Sequence, residues 1–200
     1  MIKNIVFDLG NVILKDTPSI VLENLDLTNE DKQKIKEKFF DDWEDVDLGK
    51  ETLEEHLNNC GLDLSTINNN IKEILLNYYK YRPFNNEIIE LMHVLKEKKY
   101  KIYILSNNNK EAFEYLKKLP QFQCVDGWIV SCDYNMVKPN RELYIKLFDK
   151  FNIKPEECFF IDDKKENIKT AELLGMQGCV LDIKNKGLEI LSEKLRDNNI

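Results

Sequence analysis

The stretch Ile-Val-Phe-Asp-Leu-Gly-Asn-Val at residues 5–12 decides the fold. Its first three residues form a short, continuous apolar run, which is typical of a strand buried on both faces of a parallel sheet. Asp8 follows directly, at the carboxyl end of this predicted strand. Ligands of open α/β sheets bind at such strand ends, so Asp8 is either a nucleophile or metal ligand, or a simple turn residue.

Strand-sized apolar runs recur after residue 83 and alternate with helical patterns. We predict strands near residues 100–105, 128–130, 158–161 and 178–181. The segments between them carry apolar residues at helical spacing, as in Ile88, Leu91, Met92 and Leu95. Strands that alternate with helices indicate right-handed βαβ units. The predicted fold is therefore a Rossmann-like, doubly wound α/β sheet.

Residues 15–82 differ in character from the rest of the chain. They are polar, rich in lysine and glutamate, and contain no convincing strand, whereas helices are predicted at 28–40, around 53–57 and at 62–79. Ordinary connections between a strand and a helix run about 2–6 residues. We therefore predict an inserted helical cap subdomain at 15–82 and a core domain formed by 1–14 and 83–200.

Polar residues follow four of the predicted strands. They are Asp8 after the first, Ser106 and Asn107 after the second, Lys138 after the third, and Asp162 and Asp163 after the fourth. The carboxyl ends of parallel strands share one edge of the sheet, so these side chains can converge. Each is unremarkable alone, as a cap, a surface lysine or a turn, but coincidence is a poor explanation for the whole set.

This set of residues suits phosphoryl transfer. Mg²⁺ prefers one or two carboxylates together with substrate phosphate and water, and Asp8 with the pair at 162–163 can provide them. Ser106 and the amides that follow it can donate to phosphate oxygens, and Lys138 supplies a positive charge. Phosphoryl transfer depends mainly on such positioning and charge neutralisation.

These four motifs resemble those of the haloacid dehalogenase superfamily, most of whose members are Mg²⁺-dependent phosphatases. The resemblance covers essentially the whole chain, including the helical cap, and is strongest to bacterial sugar phosphatases typified by alpha-D-glucose-1-phosphate phosphatase. It implies that Asp8 is a nucleophile forming an aspartyl-phosphate. The implied metal ligands are Asp8, the backbone carbonyl of Gly10, Asp162 and Asp163. The implied phosphate-binding residues are Ser106, Asn107 and Lys138.

The chain departs from the family pattern at Gly10. Most phosphatases of the superfamily carry there an aspartate that serves as general acid and base, a role worth about 10²–10⁴-fold in rate. We therefore expect slow turnover and a preference for good leaving groups, unless a cap residue or water replaces the acid. Replacing Gly10 with Asp is expected to speed hydrolysis.

Three other interpretations remain open. A dehalogenase of the family uses a cap arginine to receive halide, but residues 15–80 contain none, and the missing acid argues against a phosphomutase. A protein that binds a phosphosugar or a protein partner without turnover is the more serious rival. Asp8, Lys138 and Asp163 argue against it, because such a binder does not need the nucleophile.

Bulk properties narrow the class of partner. The net charge is −7, which disfavours nucleic acid, and the longest apolar runs are too short to span a membrane. The five cysteines form no Cys-x-x-Cys pair, which disfavours a zinc site or a disulfide framework. Their odd number, without a signal peptide, predicts reduced thiols in the cytoplasm. We expect a monomer or weak homodimer that acts on a small phosphorylated metabolite.

The cap contributes candidates of lower rank. His56 is expected on the surface of a cap helix. Asp42, Trp43 and Asp47 can face the active site, but their positions are not fixed by the sequence. Substrate identity is expected to depend on this cap, which closes over a small molecule and excludes water.

Overall fold

The computed structural model describes residues 1–15, 17–23, 25–63, 65, 67–182 and 185–200. Five parallel strands form one sheet in the order β3-β2-β1-β4-β5. They are β1 (Asn4–Phe7), β2 (Lys101–Ser106), β3 (Gly127–Val130), β4 (Cys158–Asp162) and β5 (Gln177–Val180). The predicted doubly wound sheet is confirmed, and each predicted strand lies within a residue or two of its observed position.

The helices that follow β1 are α1 (Thr17–Glu23), α2 (Asn29–Ile35), α3 (Glu44–Asp47), α4 (Leu53–Asn59) and α5 (Asn69–Leu76). The helices that cover the sheet are α6 (Asn86–Glu97), α7 (Lys110–Leu116), α8 (Arg141–Phe151), α9 (Lys165–Leu173) and α10 (Gly187–Asp197). A short π-helix at Lys36–Phe40 continues α2.

β1 is buried on both faces, as its apolar run predicts. Ile5 and Phe7 pack in one cluster with α6 and α10, whereas Val6 packs on the other face with α8 and α9. Because β1 lies between β2 and β4, its carboxyl end has the ends of both neighbours beside it. This central position places Asp8 among the polar residues of the other strand ends.

Residues 21–78 have a hydrophobic cluster of their own, formed by α1, α2, the π-helix, α3, α4 and α5. Thr28 caps α2 by accepting a hydrogen bond from the backbone of Asp31. The helix predicted at 62–79 is shorter, because Asn68 caps α5 and the helix begins at Asn69. The separate cluster supports the cap at 15–82, whose bounds remain a proposal.

The prediction for His56 is wrong. Its side chain is buried, with Nε2 2.9 Å from the carbonyl oxygen of Phe39 and Nδ1 3.1 Å from a carboxylate oxygen of Glu51. The ring also lies against Trp43. A polar residue can thus be buried in the helical cluster because both ring nitrogens have partners.

The two segments that join the cap to the sheet run side by side. The backbone of Lys15 donates to Pro83, and the backbone of Asn85 donates to Ile13. This pairing holds residue 82 close to the end of β1. In the part of the chain that is described, every helix is too short or too polar to cross a bilayer.

Candidate active site

The ends of β1, β2 and β4 open into a cavity of about 310 Å³. Its walls come from both the sheet and the part of the chain from α1 to Arg82, which we call the helical insertion. Sheet-side lining residues are Asp8, Gly10, Asn11, Ser106, Asn107, Asn108, Lys138, Asp163, Lys164 and Asn167, and the remaining ones are Pro18, Phe40, Trp43, Asp47, Tyr78 and Arg82. The strand ends thus converge as the sequence predicts.

Lys138 lies between two carboxylates at the base of this cavity. Its Nζ is 2.8 Å from Oδ1 of Asp8 and 2.6 Å from Oδ2 of Asp162. All three side chains are buried, Asp162 completely. A buried charge is tolerated when it is paired and hydrogen-bonded, and Lys138 supplies that partner to both acids.

Asp162 uses both carboxylate oxygens within the protein. The amide nitrogen of Asn167 lies 2.9 and 3.0 Å from them, and the backbone of Lys164 donates to Oδ1 at 2.8 Å. Lys138 contacts Oδ2. Asp162 therefore has protein donors at each oxygen, and its neighbour Asp163 is the more accessible carboxylate of the pair.

The protonation of Asp8 reflects opposing effects. Burial raises its pKa to about 6, Lys138 opposes this rise, and the nearby charges of Asp162 and Asp163 add to it. For Lys138, burial disfavours the ammonium, but Asp8 and Asp162 outweigh it, so its pKa lies above the usual value. The lysine therefore stays charged, and the pKa of Asp8 lies above its usual value.

The acidic cluster fits a divalent cation. Asp8, Asp162 and Asp163 each offer an oxygen within 4.8 Å of the others. Burial raises the pKa of Asp163 although Asn11 opposes this by donating to its Oδ2 at 2.9 Å. The single positive charge of Lys138 does not neutralise these three carboxylates. Hard oxygen donors in this arrangement suit Mg²⁺.

Asn107 has a contact that its motif does not reveal. Its side chain accepts from the backbone nitrogen of Lys138 at 2.7 Å and donates to the carbonyl of Lys138 at 3.2 Å. The amide thereby fixes the backbone that carries the lysine. Ser106 is buried beside it and donates only weakly, at 3.2 Å, to the Asn107 carbonyl. Both residues line the cavity, as predicted.

Asn108 belongs to the site, although the sequence analysis gave it no separate role. Its backbone nitrogen donates to Ser131 and its Oδ1 accepts from the backbone of Asn109. Its Nδ2 is buried and has no hydrogen-bond partner among the described residues, and the residue lines the cavity. An orphaned buried donor is costly unless a ligand satisfies it.

The helical insertion supplies an aromatic wall. Phe40 and Trp43 stack with ring centroids 5.9 Å apart, and Trp43 meets Tyr78 edge to face at 5.3 Å. The Tyr78 hydroxyl accepts a hydrogen bond from Asn109 at 2.8 Å, which ties this wall to the sheet side. Of the three lower-ranked cap candidates, Trp43 and Asp47 reach the cavity, whereas Asp42 is exposed and does not line it.

Arg82 is a site residue that sequence reasoning missed. It lies just beyond the segment searched for a cap arginine, and the paired chains at the base of the insertion bring it into the cavity. A Cβ atom built on Gly10 would lie 3.7 Å from Nη2 of Arg82 and 3.9 Å from Oδ2 of Asp8. The guanidinium therefore faces the space where a side chain at position 10 would be.

Known proteins of similar sequence are hydrolases. Residues 2–175 match the family model of the haloacid dehalogenase-like hydrolases. Bifunctional epoxide hydrolase 2 of Mus musculus is 30% identical over 142 residues, which are 68% of this chain and 25% of that protein. The chain thus spans about a quarter of the length of that relative and of its Rattus norvegicus counterpart.

Two further relatives match over nearly their whole length. D-ribitol-5-phosphate phosphatase of Bacteroides thetaiotaomicron is 26% identical over 193 residues, 88% of this chain and 90% of that one. A crystal structure of a haloacid dehalogenase family enzyme from the same organism, in complex with magnesium and inorganic phosphate, has a TM-score of 0.73. It is 26% identical, and the alignment covers 91% of this chain and 95% of that one. The chain is therefore a member of the haloacid dehalogenase-like hydrolase family.

Proposed function

We propose that the enzyme is a Mg²⁺-dependent phosphatase that hydrolyses a small phosphomonoester through an aspartyl-phosphate on Asp8. One observation carries this proposal: the carboxylate of Asp8 lies 2.8 Å from the buried ammonium of Lys138, inside a cluster of three aspartates. A charged nucleophile, a fixed cation and a metal site are what phosphoryl transfer requires.

The residues divide into two roles. Asp8, Asp163, the Gly10 carbonyl and, through one oxygen, Asp162 would hold Mg²⁺, which offsets negative charge on the phosphoryl group when bound. Lys138 neutralises phosphate oxygens, and Ser106 with the backbone amide at 107 donates to them. The side chain of Asn107 contributes by fixing the backbone of Lys138.

A sugar phosphate is the substrate class that we propose. The cavity of about 310 Å³ is at the lower end of the range for small-molecule sites, about 300–1,000 Å³. Phe40, Trp43 and Tyr78 offer aromatic faces on which the apolar face of a sugar can pack, and Asn108 and Arg82 offer donors to its hydroxyls. The similarity to D-ribitol-5-phosphate phosphatase supports the same class.

The test is hydrolysis of p-nitrophenyl phosphate and of a panel of pentose, hexose and polyol phosphates, with Mg²⁺ and with EDTA. We expect hydrolysis that requires the metal and is abolished in Asp8→Asn. Asp149→Asn is the matched control, because Asp149 is exposed on α8, outside the cavity. Folded protein that binds sugar phosphates but hydrolyses none would instead establish the non-catalytic binder.

Arg82 supports a second candidate function, the release of halide from a 2-haloacid. A dehalogenase of the family needs an arginine that receives the halide, and residues 15–80 contain none. The guanidinium of Arg82 lines the cavity and can take this role. Chloride release from 2-chloropropionate in the presence of EDTA would identify this activity. We favour the phosphatase, because the three clustered carboxylates suit a cation that halide displacement does not need.

We also propose that the enzyme works in the cytoplasm as a monomer or weak homodimer. All five cysteines have free thiols, three of them buried, which suits a reducing compartment.

A further inference from the structure

Hydrolysis of an alkyl phosphate requires a proton for the leaving alkoxide. The leaving alkoxide is a strong base, so it departs readily only when a positioned acid protonates it. Gly10, beside the nucleophile, has no side chain to do so. If the phosphatase activity proposed above extends beyond activated esters, some other group of the cavity must therefore protonate the leaving alkoxide.

Among described residues, the carboxyl groups that line the cavity are those of Asp8, Asp47 and Asp163. Asp8 is the proposed nucleophile, and Asp163 belongs to the proposed metal site. Tyr78 also lines the cavity, but burial holds its pKa far above the usual value, so its proton is a poor donor. Asp47 is the carboxyl group without an assigned role.

Charged groups surround Asp47 on the sheet side of the cavity. Burial raises its pKa to about 7; Lys164, Lys138 and Arg82 oppose the rise, and Asp8 adds to it. Its own helix, α3, carries Glu44 and Asp45, and the thiol of Cys132 lies nearby. A carboxyl group in this setting can both hold and release a proton near neutral pH.

The backbone around Asp47 is fixed to the sheet rather than left to the cap alone. The Ser131 hydroxyl donates to the carbonyl of Asp47, and the side chain of Asn135 donates to the carbonyl of Leu48 at 2.8 Å. Gly49, with φ of +69°, approaches so closely that a Cβ there would lie 2.7 Å from the carbonyl oxygen of Cys132. These contacts hold the segment against the end of β3, while Asp47 itself lines the cavity.

We propose that Asp47 is the general acid and base of this enzyme, in place of a carboxylate at position 10; the proposal rests on the phosphatase function proposed above.

In the first step the Asp8 carboxylate attacks phosphorus. The bond from phosphorus to the ester oxygen breaks, and that oxygen takes the proton of Asp47 and leaves as the alcohol. In the second step the Asp47 carboxylate takes a proton from water as the water oxygen attacks phosphorus. The bond to Asp8 breaks, and phosphate leaves.

The test compares two leaving groups in Asp47→Asn. For an alkyl ester such as glycerol 1-phosphate, we expect kcat/KM to fall about 10²–10⁴-fold. For p-nitrophenyl phosphate, whose leaving group needs no proton, the burst of nitrophenolate should persist while steady turnover slows, because hydrolysis of the aspartyl-phosphate lacks its base. The alkaline fall in kcat/KM for the alkyl ester should also vanish in the variant.

Asp45→Asn is the matched control. Asp45 lies on the same short helix, is exposed and pairs with Lys50, so both substrates should be hydrolysed as by the unaltered enzyme. The fold of Asp47→Asn should persist, since Ser131 contacts the backbone of Asp47 and not its carboxyl group.

Equal losses for both esters, or none, in folded Asp47→Asn would overturn the role of Asp47 while leaving the phosphatase standing. Retained activity in Asp8→Asn would instead overturn the phosphatase mechanism and, with it, the inference that rests on it.

Discussion

The ammonium nitrogen of Lys138 lies 2.8 Å from Oδ1 of Asp8, and both side chains are almost fully removed from solvent. This pair couples the stability of the fold to its chemistry. The lysine neutralises the buried carboxylates of Asp8 and Asp162, and in the proposed mechanism the same charge binds the phosphoryl group.

Lys138→Met should therefore cost both stability and activity. Removing one partner of a buried ionic group typically lowers the free energy of unfolding by about 3–5 kcal/mol. Urea unfolding in EDTA near neutral pH should show a loss of this size, which shrinks as Asp8 becomes protonated at lower pH. Lys34→Met, at an exposed pair with Glu30, is the control and should leave the midpoint almost unchanged. A stable Lys138→Met would contradict the buried pairing.

Asn11→Gly should weaken Mg²⁺ binding. Asn11 donates to Asp163 at 2.9 Å and has a φ of 55°, a conformation that glycine adopts without strain. Losing a residue that orients a metal ligand typically costs about 10–100-fold in affinity. Calorimetric titration with Mg²⁺ would measure it. Asn152→Gly, at φ of 51° at the end of α8, is matched in backbone geometry and should bind Mg²⁺ normally. Equal affinities in both variants would exclude a role for Asn11.

Asp47→Asn should raise thermal stability at alkaline pH. The pKa of Asp47 rises from 3.8 to about 7 on folding, so the folded protein holds a proton that the unfolded chain has released, and stability falls as pH rises through this window. Asparagine carries no such charge. In EDTA, we expect its melting temperature to exceed that of the unaltered enzyme by a few degrees near pH 8 and to match it below about pH 4.

The control for this stability effect is Asp45→Asn, whose carboxyl group is exposed. It should show no pH-dependent gain in melting temperature. A gain in both variants would point to relief of general negative charge, since the net charge is −7. A variant Asp47→Asn that is less stable than the unaltered enzyme near pH 8 would contradict the raised pKa of this carboxyl group.

Gly10→Asp should partly restore the activity that Asp47→Asn loses. The distances of 3.7 Å to Arg82 and 3.9 Å to Asp8 are ordinary contacts, so a Cβ atom at position 10 requires no backbone shift. The nearby guanidinium will hold much of the new carboxyl group ionised, so recovery on an alkyl phosphate should be incomplete. Steady-state kinetics of the double variant would measure it. A double variant no faster than Asp47→Asn would show that position 10 cannot supply the acid.

Much of the architecture follows from local patterns. The apolar run before Asp8, the helical spacing after Pro83 and glycine at 175 fix strands and helices because periodicity and turn chemistry act over a few residues. The positions of Ser106, Lys138 and the aspartate pair also follow, since parallel strands bring their carboxyl ends to one edge.

Burial and helix bounds in the helical insertion were harder to predict from the sequence, because they depend on how short helices are oriented. His56 has the sequence surroundings of a surface residue and is buried only because Phe39 and Glu51 meet its two ring nitrogens. Likewise, the apolar spacing over 62–79 predicted a longer helix than α5, which begins only after its cap residue Asn68. Local spacing does not encode such tertiary choices.

The sequence by itself determined the α/β fold, the helical insertion and the order of the polar strand ends, because these depend on hydrophobic pattern and chain direction. Only the tertiary structure decided that Lys138 lies between two carboxylates, that Asn107 turns toward the Lys138 backbone, and that Arg82 and Asp47 reach the cavity. Those relationships join residues distant in sequence. Their geometry is fixed by packing and hydrogen bonds that form only once the sheet and the helical cluster are assembled.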